Sequence, residues 1–290
     1  MKAFLSFIKF LIFSNIYVAL CVTAFTHLTY IIYNIPKNNL FVVLLMVFSF
    51  TFFTYNGQRI YRLNQKIIDK DKLSERLKWV IKNKIPLGLS SILFGLIGLL
   101  CTFFIDNYCF LILIPMGGLS IFYVVPLIPF INQTPSIRDI PYLKIIAIGI
   151  TWAIATVWLP MVDSQFYLGM NTITLLFTAL QVFLFVFAIT LPFDIRDIKF
   201  DELTKLKTIP RLIGSKKTII FSEILLVASI LLLYYLPIGN YFYPMIMGII
   251  ITMLIIGFTT EKRNELFYAG LVEGTVIIQY LCVVIPYLLF

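Results

Sequence analysis

The stretch 170–201 reads MNTITLLFTALQVFLFVFAITLPFDIRDIKFD, an apolar run long enough to cross a membrane that ends in three carboxylates. On a helix, Asp194, Asp197 and Asp201 fall on one face roughly 60° wide, with a rise of about 10 Å. Carboxylates that close repel one another and usually need a compensating cation, most simply Mg²⁺, which takes oxygen ligands and bridges phosphates. The spacing therefore predicts a Mg²⁺ site. A solvated loop with mutually offsetting charges is the alternative.

The composition predicts a polytopic membrane protein. Hydrophobic residues make up 60% of the 290 residues, charged residues 13%, and the mean hydropathy is +0.97. A soluble domain of this length has no interior large enough for so many apolar side chains. We predict one all-α domain over residues 1–290, a bundle of nine transmembrane helices. The predicted spans are 11–33, 39–58, 85–104, 109–128, 142–162, 170–192, 218–236, 241–259 and 270–290.

The basic residues predict the orientation of the bundle. Of the 23 lysines and arginines, all but Lys37 fall in the N-terminus or in segments that alternate to the same side. This distribution places the N-terminus inside and the C-terminus outside, in the cell (cytoplasmic) membrane. The net charge of +9 is thus mostly explained by basic residues that orient the helices in the membrane, and no nucleic-acid partner is indicated. The four cysteines are scattered and predict neither a disulfide framework nor a zinc site.

Two long polar segments, 59–84 and 193–217, follow the second and the sixth predicted spans and should cap the inner mouth of the bundle. In the first cap, Leu73, Leu77, Val80 and Ile81 share one helical face. They predict a helix lying on the membrane surface, and a lid over an anionic substrate is the alternative. In the second cap, the ring of Pro192 is expected to break the sixth span and turn the Asp194 segment over the mouth.

The run 194–214, DIRDIKFDELTKLKTIPRLIG, resembles the second aspartate-rich motif of the UbiA family of intramembrane prenyltransferases. It is most similar to the menaquinone-pathway members, which prenylate dihydroxynaphthoate. The resemblance implies a nine-helix bundle in which two aspartate-rich motifs hold Mg²⁺. The metal neutralises the diphosphate of a polyprenyl donor, and an aromatic acceptor attacks the resulting allylic carbocation.

The resemblance also implies roles for individual residues. Asp194, Asp197 and Asp201 would be the metal ligands, and Arg196 and Lys207 would contact the diphosphate. Tyr123 resembles the tyrosine-bearing end of the family's fourth helix and would line the cavity. Lys144 resembles the lysine that follows and would contact the diphosphate.

The first motif departs from the family pattern, which is Asn-Asp-x-x-Asp-x-x-x-Asp. Here the segment 56–64 reads NGQRIYRLN, so the three carboxylate positions hold Gly57, Ile60 and Asn64, and only Asn56 is retained. Arg59 and Arg62 lie between them. Because a guanidinium fits phosphate oxygens, we predict that Arg59 and Arg62 bind the diphosphate and replace one metal. Anchoring at the membrane edge is the alternative. Asn56 is predicted to contact the diphosphate as well. Asn64 is expected to line the cavity.

Three further polar residues, Asn15, Gln181 and Glu273, lie in or near spans, where burial is costly unless they are paired. Gln181 is expected to line the cavity, and interhelical hydrogen bonding is the alternative for all three.

The favoured hypothesis is a divergent Mg²⁺-dependent prenyltransferase that moves a polyprenyl group to a lipophilic or aromatic acceptor. A non-catalytic relative that binds prenyl diphosphate or quinone lipids is the second. A transporter is disfavoured because charges are nearly absent from span centres. No catalytic residue is assigned.

The predicted orientation can be tested by cysteine labelling. In a chain whose native cysteines are replaced, Lys70→Cys and Lys205→Cys should both react only from the inner side, because both caps lie there. Lys37→Cys is the control and should react only from the outer side. Labelling of positions 70 and 205 from opposite sides would contradict the two-cap arrangement.

Overall fold

The computed structural model describes residues 2–65, 74–126, 135–140, 142–203 and 208–289; the side chains of residues 2, 64–65 and 199–203 are not described. Within these ranges the regular structure is helical and contains no strand. The α-helices are α1 Lys2–Phe13, α2 Ile16–Ile32, α3 Leu40–Gln65, α4 Glu75–Lys82, α5 Lys84–Cys101, α6 Phe110–Phe122, α7 Leu143–Ala153, α8 Leu159–Asp163, α9 Thr172–Leu203, α10 Ile209–Ile213, α11 Ser215–Leu233, α12 Phe242–Gly257 and α13 Glu273–Leu289.

Short non-α segments join several of these helices. A π-helical segment, Ile154–Trp158, connects α7 with α8, and a second one, Phe267–Val272, leads into α13. Such segments contain one more residue per turn than an α-helix and are often found at functional sites. The 3-10 turns are Thr102–Phe104, Asn107–Cys109, Ile137–Asp139, Phe166–Gly169 and Gly239–Tyr241.

The long helices pack as a ring around a common core. Helix α9 lies between α7 and α11, α11 packs on α12, α12 on α13, and α13 on α2. The π-helical segment Ile154–Trp158 contacts α2 and closes the ring, while α3 packs on both α2 and α5. Gly274 allows α13 to approach α2, since a β-carbon there would overlap the hydroxyl of Tyr17.

The all-α membrane fold predicted from hydropathy is confirmed. Large apolar side chains line the outward face of α5, where Ile85, Leu89 and Ile92 are 76%, 66% and 58% exposed, as expected for lipid contact. The count of nine spans stays a prediction. Among the described residues, six helical stretches are long and apolar enough to cross a membrane: Leu40–Leu63, Lys84–Phe104, Leu143–Asp163, Thr172–Ile198, Gly239–Gly257 and Phe267–Leu289.

The first predicted span is bent. Ala3–Phe13 and Ile16–Ile32 meet at an angle of 70°, and together they would count as a seventh span. Asn15 stands at the bend with φ at 64°, in the left-handed region. Asparagine tolerates this region better than most residues, so the chain can turn there at small cost.

The prediction that Pro192 breaks the sixth span is wrong. Helix α9 continues for eleven residues beyond Pro192, to Leu203, so Asp194 and Asp197 belong to the same helix as the span. Proline deprives the carbonyl of Ala188, four residues earlier, of its helical partner. The hydroxyl of Ser222, fully buried on α11, donates to that carbonyl at 2.7 Å. The freed acceptor is therefore satisfied by the neighbouring helix, and α9 does not need to end.

Much of the predicted cap regions is helical. Residues 59–65 belong to α3, residues 193–203 to α9, and the first cap contains α4. Ser74 begins α4 by accepting a hydrogen bond from Leu77 N at 3.2 Å. Val80 is buried, and the Trp79 ring lies edge-on to Phe10 and Phe13 of α1, with centroids 6.1 and 6.0 Å away. Helix α4 thus packs its apolar face on α1.

Replacement of Ser222 should test the repair of α9. Ser222→Ala leaves the Ala188 carbonyl without a donor and should lower the unfolding free energy by about 1 kcal/mol. In a Pro192→Ala background the restored backbone N–H of residue 192 satisfies that carbonyl, so the same change should cost much less. A double-mutant cycle measured by unfolding in detergent gives the coupling. Equal costs in both backgrounds would contradict this account.

Candidate functional site

The two aspartates of the second motif whose side chains the structure describes are each balanced by a cation. Asp194 is buried, and its Oδ1 accepts a hydrogen bond from Lys144 Nζ at 2.5 Å. Lys144 is the second residue of α7, so this ion pair joins the start of α7 to the end of α9. The predicted metal ligand Asp194 and the predicted diphosphate contact Lys144 are therefore brought together.

Asp197 pairs with its neighbour Arg196. The guanidinium donates from Nε and Nη2 to the two carboxylate oxygens, at 2.7 and 2.9 Å. It also lies 5.3 Å from the centroid of the Phe193 ring and 5.7 Å from that of Tyr268. The remaining nitrogen, Nη1, is buried and has no hydrogen-bond partner. Buried donors normally have a hydrogen-bond partner, and this nitrogen has none among the described residues. It is therefore available to donate to a ligand.

Asn56, the residue retained from the first motif, is fully hydrogen-bonded. Its side-chain oxygen accepts from Asn15 Nδ2 at 2.7 Å, and its Nδ2 donates to the carbonyls of Ser14 at 2.9 Å and Phe52 at 3.1 Å. These contacts tie α3 to the bend between α1 and α2. Its assignment as a diphosphate contact stays a prediction, and it would require exchange of at least one of these bonds.

Arg59 and Arg62 lie about one turn apart on α3 and share only Arg138 among the charged groups described around them. Arg59 donates from Nη1 to the carbonyl of Phe13 at 3.3 Å and interacts electrostatically with Arg76, Glu265, Arg138 and Glu273. Arg62 faces the turn that holds Arg138 and Asp139, together with Tyr123. Arg59 therefore points to the mouth of the bundle, where charges of both signs meet.

Arg76 of α4 is a site residue that the sequence analysis missed. Its Nη2 donates to Asn15 Oδ1 at 2.8 Å and to the carbonyl of Ile12 at 3.1 Å, and its Nη1 lies 3.7 Å from Glu265 Oε1. Burial lowers the pKa of Arg76, and Glu265 and Glu273 oppose this effect. Its Nε is buried without a partner. The four-residue spacing to Val80, on the buried face of α4, is the signal that could have found it.

Charged groups from both caps and from the last helix meet here. Arg76 of the first cap interacts electrostatically with Arg196 of the second, and both interact with Glu265. Tyr268, in the π-helical segment, donates its hydroxyl to the carbonyl of Thr260 at 2.6 Å and stays against Arg196. The structure thus assembles a compact cluster of arginines, lysine and carboxylates at one end of the bundle.

The donor set fits Mg²⁺ at the second motif and not at the first. Asp194 and Asp197 lie one helical turn apart and offer carboxylate oxygens, the ligands that Mg²⁺ takes. The Asp201 side chain, the Asn64 side chain and Lys207 lie outside the described residues, which contain no cluster of three or more His, Cys, Asp or Glu side chains able to hold a metal. At the first motif, Gly57 and Ile60 have no ligand atom in their side chains.

A cleft lies toward the other end of the bundle, where Gln181 donates to Ser229 Oγ at 2.9 Å. Gln181 stands thirteen residues before Asp194, about 20 Å along α9. Most of the lining is apolar, with hydroxyl groups from Thr29, Tyr33 and Thr178. Tyr123 lies at the end of α6 and accepts a backbone hydrogen bond from Arg138 N at 3.2 Å.

The model of the UbiA prenyltransferase family matches residues 86–265, more than half of the chain. The chain belongs to the UbiA prenyltransferase family. The resemblance noted at the second motif is therefore confirmed at the level of the family, while similarity to the menaquinone-pathway members stays a prediction. No curated protein sequence matches this UbiA family member significantly.

Solved structures share the fold of this UbiA family member. A UbiA homologue from Archaeoglobus fulgidus bound to GPP and Mg²⁺ is 15% identical, with a TM-score of 0.64 over 95% of this chain and 99% of that one. An apo UbiA homologue from Aeropyrum pernix K1 is 16% identical, with a TM-score of 0.66 over 93% and 98% of the two chains. At such identities the likeness establishes the fold only.

Proposed function

We propose that this UbiA family member is an intramembrane prenyltransferase that moves a polyprenyl group from its diphosphate to a lipophilic, aromatic acceptor and depends on Mg²⁺. The observation that carries the proposal is the cluster at the bundle mouth. It holds two aspartates of the second motif and two buried guanidinium donors without partners, on Arg76 and Arg196. The Archaeoglobus fulgidus homologue of the same fold was solved with GPP and Mg²⁺, which supports this ligand class.

The residues of the cluster have distinct tasks in this proposal. Asp194, Asp197 and Asp201 would hold the metal, which neutralises charge on the diphosphate when bound. Lys144 and Arg196, now paired with Asp194 and Asp197, would exchange these carboxylates for phosphate oxygens. Lys207 would join them from the second cap.

Helices on all sides exclude water from the reacting atoms and protect an allylic cation from hydrolysis. The apolar side chains near Gln181 would contact the far end of the polyprenyl tail, since their distance along α9 from Asp194 suits an elongated ligand. Tyr123 and Asn64 would line the path between the two ends. A head at the charged mouth and a tail along the bundle interior match the two environments that the donor needs.

At the first motif, Arg59 would take the place of a metal. It lies in the same electrostatic cluster as Arg76 and Glu273, with part of its side chain accessible. A guanidinium supplies positive charge and directed donors, although it does not act as a Lewis acid as a metal does. Arg62, about one turn further along α3, would contribute to the same diphosphate.

One observation favours a second candidate function, a non-catalytic protein that binds prenyl diphosphate or quinone lipids. The three carboxylate positions of the first motif hold Gly57, Ile60 and Asn64, and the amide of Asn56 is already fully used. A site with one metal and fixed arginines would hold a diphosphate without promoting its departure as strongly. Product formation by the purified protein separates the two functions.

The metal assignment is tested with the protein in lipid nanodiscs. Binding of geranylgeranyl diphosphate is measured with and without Mg²⁺, followed by product analysis with aromatic acceptors. Asp197→Asn keeps the shape of the side chain and removes its charge, so the enhancement of binding by Mg²⁺ should fall at least tenfold, which is about 1.4 kcal/mol. Asp106→Asn, between α5 and α6 beside Gln165 and away from the cluster, is the control. An unchanged Mg²⁺ dependence in Asp197→Asn would favour the offset-charge alternative.

The arginine substitution is tested separately. Arg59→Gln should weaken diphosphate binding by about 1.5–3 kcal/mol, roughly 10- to 150-fold, because a charge-assisted contact is lost. Arg59→Lys should recover only part of it, because an ammonium lacks the planar fork. The protein should also bind fewer Mg²⁺ ions than an enzyme with two complete motifs. If both variants bind the donor as the wild type does, Arg59 is an anchor and the non-catalytic function gains support.

A further inference from the structure

Glu273 is an acidic residue of the bundle interior that the donor site described above does not use. It begins α13 directly after the π-helical segment Phe267–Val272. The extra residue of a π-helical turn rotates the side chains that follow relative to those that precede it. Glu273 is thereby aimed inward, toward α2 and α3, while Tyr268 on the preceding turn contacts Arg196.

Charged and titratable groups face Glu273 from α2, α3, α4 and α9. Three are cations: Arg59 on α3, Arg76 on α4 and Arg196 on α9. The others are Tyr17 and Cys21 on α2 and Tyr55 on α3. A carboxylate in apolar surroundings needs compensation of this kind, and here three guanidinium groups supply it without any of them forming a close ion pair with it.

The side chain of Glu273 is partly buried and, within the described part of the chain, unpaired. It has no hydrogen-bond partner among the residues that the structure describes, although charged and titratable groups of α2, α3, α4 and α9 lie around it. Its side chain nevertheless keeps part of its surface accessible, and so do those of Tyr55 and Arg59. Carboxylates inside proteins are almost always hydrogen-bonded, whereas this one has no donor among the described residues. A bound molecule with a hydroxyl group would supply the missing donor.

We propose that Glu273 binds the hydroxyl group of the acceptor and takes up its proton during prenyl transfer, an inference that rests on the transferase function proposed above. Glu273 would be a catalytic residue that belongs to neither aspartate-rich motif. The donor's diphosphate would lie beside the three arginines, so the hydroxyl held by Glu273 would keep the acceptor next to the prenyl carbon C1 that it attacks.

The step balances as follows for a phenolic acceptor. The bond between prenyl C1 and the bridging oxygen breaks, and diphosphate leaves with the electron pair. The hydroxyl proton moves to Glu273, and the ring carbon ortho to the oxygen-bearing carbon bonds to C1 to give a ketone. The ketone tautomerises to the phenol, and the proton on Glu273 passes to the diphosphate. For an alcohol, the oxygen itself bonds to C1 and the proton follows the same route.

The position of Glu273 also defines the class of acceptor. A carboxylate attracts a hydrogen-bond donor and repels an anion, so the reacting end of the acceptor should be neutral and should carry a hydroxyl. Masking that hydroxyl as a methyl ether should remove the acceptor's reactivity. A negative group is compatible only with the far end of the acceptor.

The test compares turnover with donor binding in nanodiscs, with geranylgeranyl diphosphate, Mg²⁺ and either 1,4-dihydroxynaphthalene or its dimethyl ether. Glu273→Gln keeps the shape and removes the proton acceptor, so kcat should fall about 100-fold or more while the donor Kd stays within about twofold. In Glu273→Ala, added formate should restore part of the turnover. Glu223→Gln is the matched control, since Glu223 lies on α11 beside Gly257 and outside this site.

The outcomes are distinguishable. If the wild type prenylates the diol and Glu273→Gln keeps its kcat within about threefold, the role of Glu273 is wrong and the transferase function stands. If donor binding falls together with turnover and formate restores nothing, Glu273 only positions the arginines, which also overturns the inference. If the wild type binds the donor but prenylates no acceptor, the transferase function fails and this inference fails with it.

Discussion

A charged side chain among the helices of this bundle has to be balanced by an opposite charge, because apolar side chains and lipid do not screen charge as water does. The pairs at the mouth follow from this constraint: Lys144 with Asp194, Arg196 with Asp197, and Arg76 with Glu265. In the proposed function, binding of a metal and a diphosphate would exchange these partners and add little net charge to the cluster.

The same constraint explains how the chain accommodates a first motif without carboxylates. In this member, the arginines on the first-cap side are balanced by glutamates near the C-terminal end, Glu265 and Glu273. The hydroxyl of Tyr17 on α2 adds a bond to the carbonyl of Gly270 at 3.1 Å. The beginning and the end of the chain therefore meet at the site, and the first cap depends on the last helix for its charge balance.

Hydropathy predicted the helices well because each span depends on its own composition. The predicted spans 85–104 and 241–259 correspond to α5, Lys84–Cys101, and α12, Phe242–Gly257. The family resemblance implied that Lys144 and Asp194 serve one site, and the structure pairs them. The remainder depends on contacts between distant segments. The effect of Pro192 was mispredicted because its repair comes from Ser222, thirty residues later. Arg76 was missed because its partners lie on α1, at Asn15 and before α13.

The hydrogen bond between Ser222 and the Ala188 carbonyl has a consequence for the history of the sequence. A serine at 222 is tolerable before a proline arises at 192, because a hydroxyl can share a carbonyl that already has a backbone partner. The reverse order passes through an intermediate with a buried carbonyl that no group satisfies. We therefore expect relatives to carry the serine without the proline more often than the proline without the serine. The two positions should covary in one direction only.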